Sequence, residues 1–375
     1  MTAKRMKIWK KFSLWIVCSL GLLAIVVAVV GWKLSTPFTT NQWDRIKQSK
    51  QFDGKTFINT VPEGGAGDVI DSLRQSMLGD EERVPISILP VDDISADMFE
   101  NAPKPGLRIA WLGHATSMVE IGGKRIMFDP VLSERASPFS SFGPKRFHRS
   151  PIRLDHIKGI DAVFISHNHY DHFDRVTIQR LAATGTQIFV PVGLKSTLQS
   201  WGVSDNQISE VDWWQESTFS GLTIVPTPAR HYSNRGLFDF KKTLWVSWSV
   251  ISPEHRVFFS GDSGYSSDFA KIGAAYGPFD ATLIKIGAYG PGKFWQDVHM
   301  TPEESMQTHL DLGGKVMVPV HWATFNLAYH DWREPIQRAI TAAQDKGIRL
   351  ATPRIGQMFE PNEPLPRSKW WEQVK

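Results

Sequence analysis

Cysteine is nearly missing from this chain: 375 residues contain one, Cys18, so no disulfide can staple the fold. A fixed short repeat and low-complexity tracts are also missing. With 42% hydrophobic and 21% charged residues, 29 Gly and 23 Pro, neither a collagen-like nor a disordered class fits. The length allows one large domain or two ordinary ones. A basic track is lacking too. The net charge is +4, but Lys4, Arg5, Lys7, Lys10 and Lys11 precede any acid, which leaves −1 for the remainder. Without a basic stripe, interleaved aromatics or a zinc-finger signature, no nucleic-acid partner is expected.

Charge is absent altogether from residues 12–32, FSLWIVCSLGLLAIVVAVVGW. As a helix this run of 21 residues spans roughly 30 Å, enough for a bilayer core. Trp9, Trp15 and Trp32 sit near its ends and the five basic residues precede it, which predicts a cytoplasmic N-terminus and a body on the outer side. Its end, VAVVGWK, lacks a small-x-small cleavage site, and the bulky residues before Cys18 disfavour a lipoprotein. The run is therefore expected to be an uncleaved single-pass anchor. Residues 1–32 form the basic tip and anchor, 33–105 a polar, turn-rich linker with a packed extension, and 106–375 the folded body. Within 33–105 the only helical pattern lies near 69–77.

From Leu107 onward, short apolar segments bounded by Gly, Pro and Asp read as strands: RIAWLG, SMVEIGG, KRIMFDP, DAVFIS, QIFVPV, LTIVPTP, LWVSWSV, RVFFSGD, ATLIKIG and KVMVPVH. Helices are expected at 174–183, 194–201, 301–312 and 334–346. The class is thus α/β or α+β with large sheets.

The chemistry concentrates in DAVFISHNHYDH, residues 161–172. A strand ends at Ser166, and His167 and His169, two apart in extended chain, project to one side where they can share a metal ion. Asp171 and His172 follow as the chain turns into a helix, aimed at a neighbouring point. TPARH, FFSGDSG and MVPVHW each end a strand with another donor, namely His231, Asp262 and His321. A carboxylate has an oxygen for each of two metals, so Asp262 is the expected bridge. The all His/Asp set suits zinc and tolerates iron or manganese.

The H-x-H-x-D-H run with its spaced His, Asp and His resembles the signature of the metallo-β-lactamase superfamily, an αββα sandwich with a dinuclear site at one edge. WLGHATSMVEI, FDPVLSERASP, GPKRFHRSP, FFSGDSGY, GPFDATLIKIGAY and VHMTPEES are similar, over about residues 105–330, to the N-acylphosphatidylethanolamine-hydrolysing phospholipase D family. The resemblance implies one metal on His167, His169, His231 and Asp262 and a second on Asp171, His172, Asp262 and His321. Two zinc ions are expected, with Asp171 and Asp262 as the catalytic carboxylates and Tyr170 and His299 contacting the substrate phosphate. It also implies hydrolysis of a membrane phospholipid on the head-group side, releasing N-acylethanolamine and phosphatidic acid. A lactone-opening hydrolase of the same superfamily is the alternative, followed by a non-catalytic tethered protein.

Asp129 is expected to hold ligand geometry by hydrogen bonds, Asp174 to start a helix, and His114 to be a structural or supporting histidine. His148, His156, His255, His309 and His330 fit no ligand spacing. Trp213, Trp214, Phe294 and Trp295 are candidates to border an acyl-chain groove.

Overall fold

Alternation along the apolar segments sorts their side chains onto two faces, and both faces are covered. In a computed structural model, which describes residues 15, 19–22, 25–64, 74, 75 and 78–374, the strands form two sheets. One has the order β13 (Met358–Phe359), β1 (Leu107–Trp111), β2 (Ser117–Ile121), β3 (Lys124–Phe128), β4 (Ala162–Phe164), β5 (Gln187–Pro191), β6 (Ile208–Val211). The other runs β12 (Val316–Val320), β11 (Ala281–Lys285), β10 (Arg256–Phe259), β9 (Ser247–Ile251), β8 (Leu222–Thr227), β7 (Ser217–Phe219).

Ile109, Trp111, Val119, Ile126 and Phe128 turn into a core shared with Ile224, Trp248, Val250 and Phe259 of the second sheet. Ala110, Met118 and Met127, one residue out of step, turn the other way. They meet Ile178 and Leu181 of α3 (Arg175–Ala182) and Leu198 of α4 (Lys195–Ser200). Helices α5 (Asp268–Tyr276), α7 (Pro302–Asp311) and α8 (Glu334–Asp345) bury Phe269, Met306 and Ile336 against the second sheet. The architecture is the expected αββα sandwich.

The four expected helices lie within one or two residues of their predicted bounds. Asp174 caps α3, accepting from Val176 N at 3.3 Å. Three strands escaped the sequence reading, β6, β7 and β13, and all are edge strands of two to four residues. An edge strand buries less, so ISEV and STF carry little apolar signal. Helix α5 was also missed because Gly273 interrupts its pattern. A Cβ there would stand 2.1 Å from the Asp311 carbonyl, so glycine is what lets α5 approach the end of α7.

The described residues of the 33–105 region, expected to be a linker with a packed extension, include helices and core residues. Helices α1 (Thr40–Gln48) and α2 (Ala96–Glu100) lie in it, and Ile46, Phe57 and Leu89 join the main core. The helix expected near 69–77 falls largely outside the described residues. So does much of the apolar run at 12–32, whose described positions 15, 19–22 and 25–32 are helical. Among the described residues no helix is long and apolar enough to cross a membrane.

One buried ion group ties β1, β2 and β3 together. Glu120 is paired in register with Arg125 on β3 and Arg108 on β1. Arg125 Nη2 lies 2.7 Å from Glu120 Oε1, and both side chains are almost fully buried. Removing the buried cation leaves Glu120 only the partly exposed Arg108, so Arg125→Met is expected to cost about 3 kcal/mol in urea unfolding, while Lys124→Met, at the half-exposed neighbour, costs under about 1 kcal/mol.

Candidate metal centre

Every expected donor lies in a segment that follows the C-terminal end of a strand, where a sheet fixes the backbone and a loop opens towards solvent. His167, His169, Asp171 and His172 follow β4, His231 follows β8, Asp262 follows β10 and His321 follows β12. Gly261 makes the turn into Asp262 at φ +55°, where a Cβ would meet Ser166 Cβ at 2.6 Å. Of the eight non-glycine residues with positive φ among the described residues, His114, Asp129 and His321 are at this site. Backbone strain of that kind persists only where the surroundings over-determine it.

The donors form two groups. His167 Nε2 is 2.8 Å from His169 Nδ1, and His231 Nε2 is 3.3 Å from the same atom. In the second group His321 Nε2 is 3.2 Å from His172 Nε2 and 3.5 Å from Asp171 Oδ2. Asp262 stands between them, Oδ1 3.0 Å from His321 Nε2 and Oδ2 3.3 Å from His172 Nε2 and 3.8 Å from His231 Nε2.

Surrounding hydrogen bonds fix which ring nitrogens are free. His231 Nδ1 donates to Val298 O at 3.0 Å and His172 Nδ1 to Asp129 Oδ2 at 2.7 Å. Ser166 Oγ donates to Asp129 Oδ2 at 2.5 Å and so accepts from His167 Nδ1 at 2.9 Å. The Nε2 atoms of His167, His172 and His231 are left facing the centre, an arrangement in which ligand orientation is set by the groups behind it. Asp129 thus serves two histidines, as expected. His114 Nε2 lies 2.8 Å from Asp171 Oδ2 and orients it, a supporting role where the sequence favoured a purely structural histidine.

Burial pushes the imidazoles of His167, His231 and His299 well below their usual range and His169 to about 4, so they are neutral donors. Burial also pushes His172 down, but Asp262, Asp171 and Asp129 outweigh it and raise the ring well above its usual value. Burial would raise the Asp262 carboxyl, yet His321 and His172 hold it well below the carboxylate range. Neutral imidazoles aim nitrogens at one another, and carboxylates crowd a buried ring. Cations relieve both conditions, and Asp262 Oδ1 has no hydrogen-bond partner among the described residues. The donor chemistry fits metal ions.

His299, the residue that follows α6 (Lys293–Val298), enters this site: its buried Nδ1 has no hydrogen-bond partner among the described residues and lies 3.8 Å from Asp262 Oδ2. Tyr170 faces elsewhere. Its hydroxyl donates to Arg235 O at 3.1 Å and its ring lies 4.0 Å under the Arg235 guanidinium, in the wall of a cleft of about 1090 Å³.

That cleft is lined by Trp32, Phe38, Trp43, Phe139, Phe173, Trp201 and Phe238, not by the aromatics expected from the sequence. Trp213 is core, with Nε1 donating to Trp245 O at 2.7 Å, and Trp214 stacks on Tyr276. Phe294 and Trp295 do reach the site, packing on Tyr232 and His299. His148, His156, His255, His309 and His330 stand in none of the donor groups found among the described residues.

Sequence reasoning missed Ser166, Tyr232, Arg235 and Lys285. Ser166 and Tyr232 adjoin predicted ligands and Arg235 lies four positions beyond one, the available signal. Lys285 is buried at the end of β11, donates to Gly287 O at 2.7 Å and is lowered by burial to about 8.

A β-lactamase superfamily domain profile matches residues 124–322. The chain belongs to this superfamily. It is 45% identical over 269 residues, 71% of its length and 72% of the other's, to an uncharacterised protein of Mycobacterium tuberculosis. It is 33% identical over 351 residues, 88% of its own length and 98% of the other's, to an N-acyl-phosphatidylethanolamine-hydrolyzing phospholipase D of Caenorhabditis elegans. Among solved structures a metallo hydrolase of Ignicoccus hospitalis superposes with a TM-score of 0.51 at 22% identity, covering 68% of this chain and 98% of that one. Membership and the His/Asp cluster identify a metal-dependent hydrolase.

Because Asp262 faces both donor groups, Asp262→Asn is expected to lower metal content at both, with activity falling more than about a hundredfold. His231→Ala is expected to lose one equivalent by elemental analysis. Near-normal rate and metal content in Asp262→Asn would exclude its bridging position.

Proposed function

We propose that this chain is a membrane-anchored phosphodiesterase that hydrolyses a glycerophospholipid of the N-acylphosphatidylethanolamine class with two zinc ions. The observation that carries this reading is the pair of donor groups joined through Asp262. The first would be His167, His169, His231 and Asp262, the second Asp171, His172, Asp262 and His321. Two bound cations would activate water at neutral pH and neutralise phosphate oxygens as the phosphorus becomes five-coordinate.

The protein's own groups supply the rest. His299, buried and without a hydrogen-bond partner at Nδ1 among the described residues, would bind a phosphate oxygen. Tyr232, packed on the rings of His169 and His231, and Trp295, packed on His299, keep bulk water away from the reacting phosphorus. Water oxygen joins phosphorus, the bond to the ethanolamine oxygen breaks, and that oxygen takes a proton.

An aromatic-lined cleft beside the H-x-H-x-D-H turn supports a lipid rather than a soluble ester. The cleft holding Tyr170 in its wall is also lined by Trp32, Leu34 and Phe38, at the end of the apolar run. Leu22, Ile25 and Trp32 of that run are exposed. On this reading residues 12–32 cross the bilayer, the basic tip stays cytoplasmic, and acyl chains pass from the outer leaflet into the cleft.

Purified protein with zinc in mixed micelles is expected to convert N-acylphosphatidylethanolamine to N-acylethanolamine and phosphatidic acid. His299→Ala should reduce turnover about 10- to 100-fold with both metals retained, and a reporter fused after Lys375 should be active only outside the cytoplasm. Fast lactone opening with no turnover of any phosphodiester would overturn the substrate assignment.

A further inference from the structure

The metal centre has a support from outside the catalytic body. His231 is fully buried, and its backbone groups are bonded by one side chain 172 positions earlier in sequence, Asn59. Asn59 Nδ2 donates to His231 O at 2.8 Å and Asn59 Oδ1 accepts from His231 N at 3.0 Å, the pairing that a neighbouring strand would supply. The same oxygen accepts from Trp245 Nε1 at 2.7 Å, and the second amide hydrogen goes to Glu63. All four hydrogen-bonding positions of the carboxamide are used. Aspartate lacks the donors, and an apolar residue of similar size lacks everything.

The chain around Asn59 extends this hold. Val61 O and Pro62 O accept from the guanidinium of Arg230, the residue before His231. Arg230 also pairs with Asp297 at 2.7 Å, and Asp297 in turn accepts from Gly64 N. Asp297 lies two residues before His299. Residues 57–64 therefore cross over the loop that bears His231 and end against the helix that leads to His299.

We propose that residues 57–64 are a strap over the metal centre and that Asn59 is a positioning residue, fixing His231 so that its Nε2 meets the ion shared with His167 and His169. This rests on the assignment of His231 as a metal ligand. Carboxamide and ring act on one ligand from opposite ends: Asn59 sets where the His231 backbone lies, and Val298 O sets which way the ring turns. A ligand held by both loses little freedom on binding, which is how outlying hydrogen bonds raise metal affinity.

The test is zinc affinity of the full-length chain in detergent, by chelator competition, with the absorption spectrum of the cobalt(II) form as a second readout. Asn59→Ala is expected to weaken one of the two zinc equivalents about 10- to 100-fold while the other changes less than about threefold, and to alter the cobalt bands of the weakened site. Asn59→Asp keeps the acceptor towards His231 N and Trp245 and should give a smaller, same-site loss; it carries the test if Asn59→Ala does not fold. Unchanged affinity at both sites, or an equal fall at both, would overturn the strap. His231→Ala separates the two levels of the argument. If it loses one equivalent while Asn59→Ala keeps both tight, only the strap fails; if it keeps both equivalents, the ligand assignment fails and the strap with it.

Discussion

Asp262 leaves β10 almost fully buried, with nitrogens of His321, His172, His231 and His299 between 3.0 and 3.8 Å from its oxygens, so its charge has to be met inside the site and not by water. The carboxylate belongs to one sheet, while His167, His169, Asp171 and His172 follow a strand of the other. The site closes only when the sheets are packed in one relative position. Phe128 stacks on Phe259 at 4.8 Å and Trp248 meets Phe164 edge-on at 5.2 Å directly beneath these loops. Core packing is therefore what brings the donors within range of one another.

Much of this was legible in the chain itself because the donors are local to strand ends. HNHYDH is contiguous, and His231, Asp262 and His321 each close an apolar run, so their placement follows from strand geometry. Legibility stops where position depends on distant segments. Tyr170 sits inside the motif, yet Arg235 draws its hydroxyl aside. The aromatics lining the cleft come from residues 32–43, 139, 173, 201 and 238, which no local pattern connects. Trp213 and Trp214, adjacent in sequence, part company because Trp214 adopts φ +66° and turns its ring onto Tyr276.

The 33–105 region is the clearest case of a reading limited by composition. Its polar, turn-rich character suggests a linker with a packed extension, and the linker part would leave its polar groups in water. Here they are used inward. Asn59 serves His231 and Trp245, Gln42 reaches Glu210 at 2.8 Å, and Thr36 binds Asp239 through its backbone at 2.7 Å and its hydroxyl at 3.0 Å. Polarity in this stretch marks hydrogen bonding to a folded partner and not solvation, a distinction that sequence alone cannot draw.

That inward use links the two ends of the proposed lipid path. Asp239, held by Thr36, accepts from Arg235 N at 3.1 Å and Gly236 N at 2.7 Å. Arg235 in turn donates to Asn168 O, inside the H-x-H-x-D-H turn, and to Phe173 O, just after it, both at 2.9 Å. The residues leaving the apolar run are thus two side chains away from the loop that carries four of the seven donors. Because Asp239 and Thr36 are buried, these bonds are not exchanged freely with water, and the geometry at the exit of the run is tied to the geometry of the cleft. If, as proposed, the run lies in a bilayer and the substrate is a lipid, these bonds tie the mouth of the cleft to the leaflet from which the run emerges.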